Sequence, residues 1–323
     1  MSLTIVKEGI FTTLQDLGRE GSRSLGVNPG GVMDRTATRI INTLLGNSEN
    51  EGVLEMHFPA GEIRFDRDSV MALGGADMSP ELSGKPVSNW RTVNVAKGDT
   101  LRFAAKVKGE RTYLAVAGGF QIDAWLGSKS TNLTAAAGGF EGRRLRTGDK
   151  IEFNSEPAAK SSLAASASIL PRYSRFPTVR FVRGAEFTDL TDASKESFQT
   201  DGFVISTNSD RMGFRLTGEA LSITNSSEMI SSAVNFGTVQ LLPDGRLIAL
   251  MAEHQTTGGY PRIAHVIERD LPLLAQLGPN DGVAFYEVDI EHAELLTLEF
   301  DRELAMLKVG VEFAHLWPEP LRR

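Results

Sequence analysis

The sequence contains no cysteine. That excludes disulfides, thiolate zinc sites, iron–sulfur clusters, a cysteine nucleophile and a lipidated cysteine. It also lacks an excess of positive charge: 34 Lys+Arg against 41 Asp+Glu leave a net charge of −7. Nucleic-acid binding needs a basic face, so no DNA or RNA partner is expected. No apolar run approaches the roughly 18 residues of a membrane span, and Met1–Asp16 has no signal-peptide core. The expectation is a cytoplasmic chain with no membrane contact.

Several catalytic motifs are missing too. The nearest approach to a phosphate-cradling loop is Gly84-Lys85, where Ser79 stands in place of the first glycine and Pro86 in place of the magnesium-holding Ser/Thr. There is no G-x-S-x-G elbow, no H-E-x-x-H pair and no dinucleotide-binding glycine fingerprint. The 5 histidines are scattered, and no metal site is expected within this chain.

What is present is a β-rich pattern. At 323 residues the chain is long enough for about two domains. Short apolar or alternating runs recur between turn signals, as at Val53–Phe58, Glu62–Phe65, Thr112–Val116, Phe203–Ser206, Thr238–Leu242, Arg246–Met251 and Gly282–Val288. Such runs predict a mainly β fold of barrels or sandwiches. Helices are few. Asp34 is placed to cap one that runs to Leu45, with Gly46 as its stop. Others are expected over Ala185–Gln199, from Glu268 to Gly278, and in the tail from Asp289 to about Leu307. Ala158–Ser168 is almost all Ala and Ser between Pro157 and Pro171. It reads as a linker, giving domains over 1–155 and 172–323 with 156–171 between them.

Four segments are rich in chemistry. Thr12–Arg19 sets Asp16 near Arg19. Gly74-Gly75-Ala76-Asp77 ends an apolar run with two glycines and a nearby carboxylate. Asp210-Arg211 places an acid beside a base. Gln255-Thr256-Thr257-Gly258-Gly259-Tyr260 concentrates an amide, two hydroxyls, two glycines and a phenol, groups suited to an amide or urea-like substrate. Glu253 and His254 just before it are possible acid–base groups.

These segments together resemble the allophanate hydrolase subunit 2 family, also described as the C subunit of 5-oxoprolinase or as KipA-like. The marks are Thr12–Arg19, Gly30-Gly31-Val32-Met33-Asp34, Gly46-Asn47, Gly74–Asp77, Tyr113–Gly119, Leu126–Thr131, Gly138–Arg143, Ser209–Gly213 and Gln255–Pro261. The resemblance implies two cyclophilin-like β-barrel domains and kinship with biotin-dependent carboxyltransferases. It implies a subunit 1 partner (the B subunit, KipI-like), with an A subunit beside it. Its activity would be ATP-dependent opening of 5-oxoproline to glutamate, with ATP and Mg²⁺ supplied in the complex. The chain has no Ala-Met-Lys-Met tetrapeptide, so any biotin arrives on another protein. The residues expected to act catalytically are Asp77, Asp210 and Arg211. Those expected to bind substrate are Gly74, Gly75, Gln255, Thr256, Thr257, Gly258, Gly259 and Tyr260. The alternatives are a carboxyltransferase or allophanate-related subunit with a urea-like substrate, and a regulatory protein that binds a kinase inhibitor.

Overall fold

A computed structural model describes residues 2–154, 162–224 and 229–316. The chain divides into two compact units. The first holds residues up to Gly18, Asp34–Pro171 and the chain from Phe300 onward; the second holds Arg19–Met33 and Arg172–Glu299.

The first unit has two sheets. One has six strands in the order Lys150–Glu152, Ser2–Lys7, Glu62–Phe65, Thr100–Phe103, Pro80–Leu82 and Lys85–Pro86. The other has five, in the order Thr12–Gln15, Val53–His57, Lys108–Val116, Ser69–Asp77 and Thr92–Val95. Leu14, Leu54, Leu114 and Leu73 are register partners across the second sheet, so they line one face of it. That face joins Leu3, Ile63, Phe65, Leu101 and Phe153 in one hydrophobic core.

The helix Arg35–Leu44 starts where the sequence places it. Asp34 Oδ1 accepts the Ala37 N–H at 2.8 Å, satisfying one of the amides that a helix start leaves open. Ile40 and Leu44 on this helix pack with Ile169, Phe300 and Leu304.

The second unit closes a seven-stranded barrel in the order Thr178–Arg183, Arg262–Val266, Thr238–Leu241, Leu247–Leu250, Gly213–Thr217, Gly202–Ile205 and Gly282–Glu287. Closure leaves no free edge. Its core is aromatic: Phe198 stacks on Phe285 with ring centroids 4.6 Å apart, and Phe181 meets Phe198 edge-on at 5.0 Å.

The mainly β class with few helices is what the structure has. The units divide differently from the expected ranges. Residues 156–161 of the expected linker lie outside the described residues. Its later part belongs to the first unit: the Leu163 N–H donates to Thr92 Oγ1, the Ala165 N–H donates to the Trp90 carbonyl, and Ile169 is buried. Small Ala and Ser side chains let this backbone lie against a strand, and the few large residues anchor it. Arg19–Met33 groups with the second unit, and the end of the C-terminal helix Ile290–Leu316 with the first. The expected helix over Ala185–Gln199 begins later, at Asp192, after a 3₁₀ turn at Phe187–Asp189.

Candidate functional site

In the second unit, the segment Gln255–Tyr260 lies beside the barrel. Thr257–Gly258 pairs with Ser232–Ala233 in a two-residue ribbon, with Ser232 opposite Gly258. Gln255 and Thr256 are half-buried, while Thr257 and Tyr260 are exposed. Below the ribbon lies Gln240, whose Nε2 donates to the Tyr260 carbonyl at 3.4 Å. A Cβ at Gly258 would stand 2.5 Å from that Nε2, so a side chain there would have to displace the amide.

Arg211 is buried, and its Nε donates to Glu253 Oε1 at 2.8 Å. Its Nη2 donates to the Gly31 carbonyl at 2.5 Å, and the Glu253 N–H donates back to the Arg211 carbonyl at 2.8 Å. Asn28 Nδ2 adds a bond to the Glu253 carbonyl at 3.0 Å. These contacts commit the guanidinium and Glu253 to holding the segment Asn28–Gly31. His254 is buried, and its Nδ1 lies 2.6 Å from the Gln255 carbonyl. A carbonyl only accepts, so Nδ1 carries the proton and the ring braces the start of the segment. Asp210 is exposed; its Oδ1 accepts the N–H groups of Met212 and Gly213 at 2.8 and 3.2 Å, an Asx turn.

In the first unit, Asp77 is likewise exposed, and its Oδ1 accepts the Ser79 N–H at 2.9 Å. Gly74 is buried where a Cβ would stand 2.7 Å from Ile41 Cγ2 and 2.9 Å from the Trp90 ring, so glycine admits the helix to the sheet. Gly75 has φ +78°, and a Cβ there would strike the Arg111 carbonyl. Both glycines therefore answer to packing and backbone conformation.

Asp16 and Arg19 fall in different units. Asp16 is fully enclosed: its Oδ1 accepts from Ser128 Oγ and Ser130 Oγ at 2.6 Å each and from the Gly18 N–H at 2.8 Å. Its Oδ2 accepts the Lys129 N–H at 2.6 Å.

Two polar groupings were not singled out from the sequence. In the first unit Thr13, Glu55, Tyr113 and Gly74 are register partners across four strands, and all are buried. Burial pushes the Tyr113 phenol pKa up, and the Glu55 and Asp34 carboxylates push it the same way. An acid inside the apolar strand Val53–His57 is the sequence signal for this row. In the second unit Arg262 grips Glu186 bidentately at 3.0 and 2.7 Å. The Arg262 guanidinium holds the Glu186 carboxyl below its ordinary pKa, more than burial raises it. Thr238 and His265 stand opposite each other on the same two strands, with the pair Val239 and Ala264 between them and the pair Gln240 and Arg262. Among the described residues, no group of three or more His, Asp or Glu is placed to hold a metal ion. No described helix is long and apolar enough to cross a membrane.

The carboxyltransferase domain family, subdomain A and B, matches residues 25–287. A Haemophilus influenzae protein named as the C subunit of 5-oxoprolinase is 37% identical over 88% of this chain and 90% of its own length. An Escherichia coli protein of the same name is 36% identical over 90% of this chain and 93% of its own. The crystal structure of the Kluyveromyces lactis urea carboxylase superposes with a TM-score of 0.89 at 26% identity, over 96% of this chain and 29% of that one.

Proposed function

The chain belongs to the carboxyltransferase domain family, subdomain A and B, and on that premise we propose that it serves as the C subunit of an ATP-dependent 5-oxoprolinase. The observation that carries this reading is end-to-end likeness to two relatives of that name, which the chain covers over 90% and 93% of their lengths.

The chemistry asks for two things. A lactam is a stable amide; transfer of the ATP γ-phosphoryl group to its oxygen, with ADP released, makes the carbon open to attack by water, after which phosphate leaves and the ring C–N bond breaks to give glutamate. The substrate must also be held by groups that both donate and accept, as Gln255, Thr256, Thr257 and Tyr260 do. In this reading the backbone at Gly258-Gly259 approaches the same ligand. Arg211 supports the segment from behind through Glu253 and Gly31. ATP and Mg²⁺ belong to the assembled, cytoplasmic complex. Asp77 and Asp210 each commit Oδ1 to turn amides, and no described acidic cluster fits a metal ion. The partners proposed are a KipI-like B subunit (subunit 1) and an A subunit.

Carboxyl transfer to a urea-like substrate is the second reading, favoured by the 0.89 TM-score to the urea carboxylase. One assay separates the two. ATP-dependent glutamate formation from 5-oxoproline is measured with this chain and the two partner subunits together, and with each of the three left out. Turnover that needs all three, and none by this chain alone, is the expected result. Full turnover without this chain, or carboxylation of urea with a biotin carboxylase in place of the partners, overturns the reading.

A further inference from the structure

One face of the second unit's barrel carries a donor and an acceptor that its own packing does not use. The strands Thr238–Leu241 and Arg262–Val266 run antiparallel with a register shift. Thr238 faces His265, Val239 faces Ala264, and Gln240 faces Arg262. The shift leaves Ile263 as an extra residue, a bulge. Ile263 and Ala264 both join the barrel core with Val239. Their inward turn leaves Arg262 and His265 on the outer face, beside Thr238 and Gln240.

The Thr238 hydroxyl accepts the Asn235 N–H at 3.1 Å and lies 3.1 Å from His265 Nδ1. Thr238 is fully buried and makes no other side-chain hydrogen bond among the described residues, so its hydroxyl proton goes to Nδ1. The ring's own proton then sits on Nε2, which makes no hydrogen bond among the described residues. Burial lowers the His265 pKa below its ordinary value; Arg262 adds to this and Glu186 opposes it. The imidazole is therefore neutral near pH 7, with one N–H to offer.

Gln240 is fully buried, and its Oε1 makes no hydrogen bond. A buried carbonyl left without a donor is costly, by about 1–3 kcal/mol in general. The cover over this amide is the ribbon of Ser232–Ala233 and Thr257–Gly258, and Ser232 Oγ in that ribbon is also buried and unpartnered. A ladder of two residue pairs is a weak cover that opens at low cost.

We propose that His265 Nε2–H and Gln240 Oε1 are a matched donor and acceptor for the cis edge of a lactam or ureide, where a C=O and an N–H lie side by side. The substrate carbonyl takes the His265 proton donor, and the substrate N–H takes Gln240 Oε1, once the Gly258 ribbon lifts. Thr238 is a positioning residue that sets the imidazole tautomer. This deepens the 5-oxoprolinase reading and rests on it for the identity of the ligand.

The test has two arms. In the assembled complex, Gln240→Leu and His265→Leu should each raise KM for 5-oxoproline roughly tenfold or more, the loss expected when a site's hydrogen-bond partner is removed. Melting temperature is followed alongside. If KM and kcat stay unchanged in both folded variants while the complex turns over, the proposal falls and the functional reading stands. A lower melting temperature for Gln240→Leu with KM unchanged also overturns it, because Gln240 Oε1 then serves a structural water.

The second arm uses the full chain with ¹⁵N-labelled histidine rings. His265 should report the Nε2–H tautomer, Thr238→Val should lose it, and 5-oxoproline should shift the ring signal. Urea replaces 5-oxoproline if the complex proves inactive; a ring shift with urea then supports the pair while the functional reading fails. A ring that responds to neither compound overturns the proposal.

Discussion

Asp16 in the first unit and Gln240 in the second are both fully enclosed polar side chains. Asp16 fills its two oxygens with four donors, from Ser128, Ser130, Gly18 and Lys129. Gln240 donates once, weakly, and leaves its acceptor unused. A saturated buried group locks architecture, because every bond is made inside the fold. An unsaturated one costs stability, and a fold that keeps it has a use for it or a water on it. The difference assigns Asp16 to structure and Gln240 to recognition.

The comparison can be broken most sharply at Asp16. Asp16→Ala strands four donors, and since each orphaned group costs about 1–3 kcal/mol, a loss of at least about 4 kcal/mol is expected. Denaturant unfolding reads it, and a loss near zero would mean the network adds nothing. Gly75→Ala comes next. A positive φ of +78° and a Cβ against the Arg111 carbonyl predict a loss of about 2–4 kcal/mol by the same measurement. If Gly75→Ala instead folds normally and only activity drops, that glycine serves a ligand.

Gln255→Ala and Tyr260→Phe should act in the opposite way. In the complex, turnover should fall about ten- to a hundredfold, with stability held within about 0.5 kcal/mol. Unchanged turnover in both variants would remove the segment from the site.

Acid sensitivity is a smaller effect. Arg143 holds the Asp149 carboxyl low, and Arg262 does the same for Glu186. Carboxyl pKa values depressed in the folded state give stability that is present above the ordinary values of 3.8 and 4.5. That stability is lost as pH falls through the lowered folded values. Urea midpoints should therefore drop below about pH 4.5, and Arg262→Met should flatten part of that drop, by about 1 kcal/mol. An unchanged profile would show that the pair contributes nothing. The smallest effect belongs to Gln240→Leu: stability within about 0.5 kcal/mol of the parent, or slightly higher, against the large loss at Asp16. A loss as large as Asp16's would erase the contrast between the two.

Much of the fold was legible. The Asp34 cap and the helix it starts follow from local chemistry, as do the strands at Val53, Glu62, Thr112, Thr238 and Gly282. The segment Gln255–Tyr260 stood out by its residue types. The strand carrying His265 did not, because Arg262-Ile263-Ala264-His265-Val266 breaks two-residue alternation where the bulge turns Ile263 and Ala264 inward together. Arg211 stood out as a catalytic candidate because Asp210 beside it in the sequence is the only partner that local pattern offers. Its partner Glu253 lies 42 residues further on.

Composition and local pattern by themselves determined that this chain is mainly β, has few helices and contains no cysteine or phosphate-cradling loop. Those properties depend on residue type and on neighbours a few positions apart. Only the tertiary structure decided which polar groups are spent. Asp16 meets Ser130 across 114 residues and Arg211 meets Gly31 across 180. Gln240 goes without a partner for its Oε1, although its Nε2 reaches Tyr260 only 20 residues away. Whether a donor finds an acceptor is settled by which strands pair and in what register, and sequence distance carries no information about that.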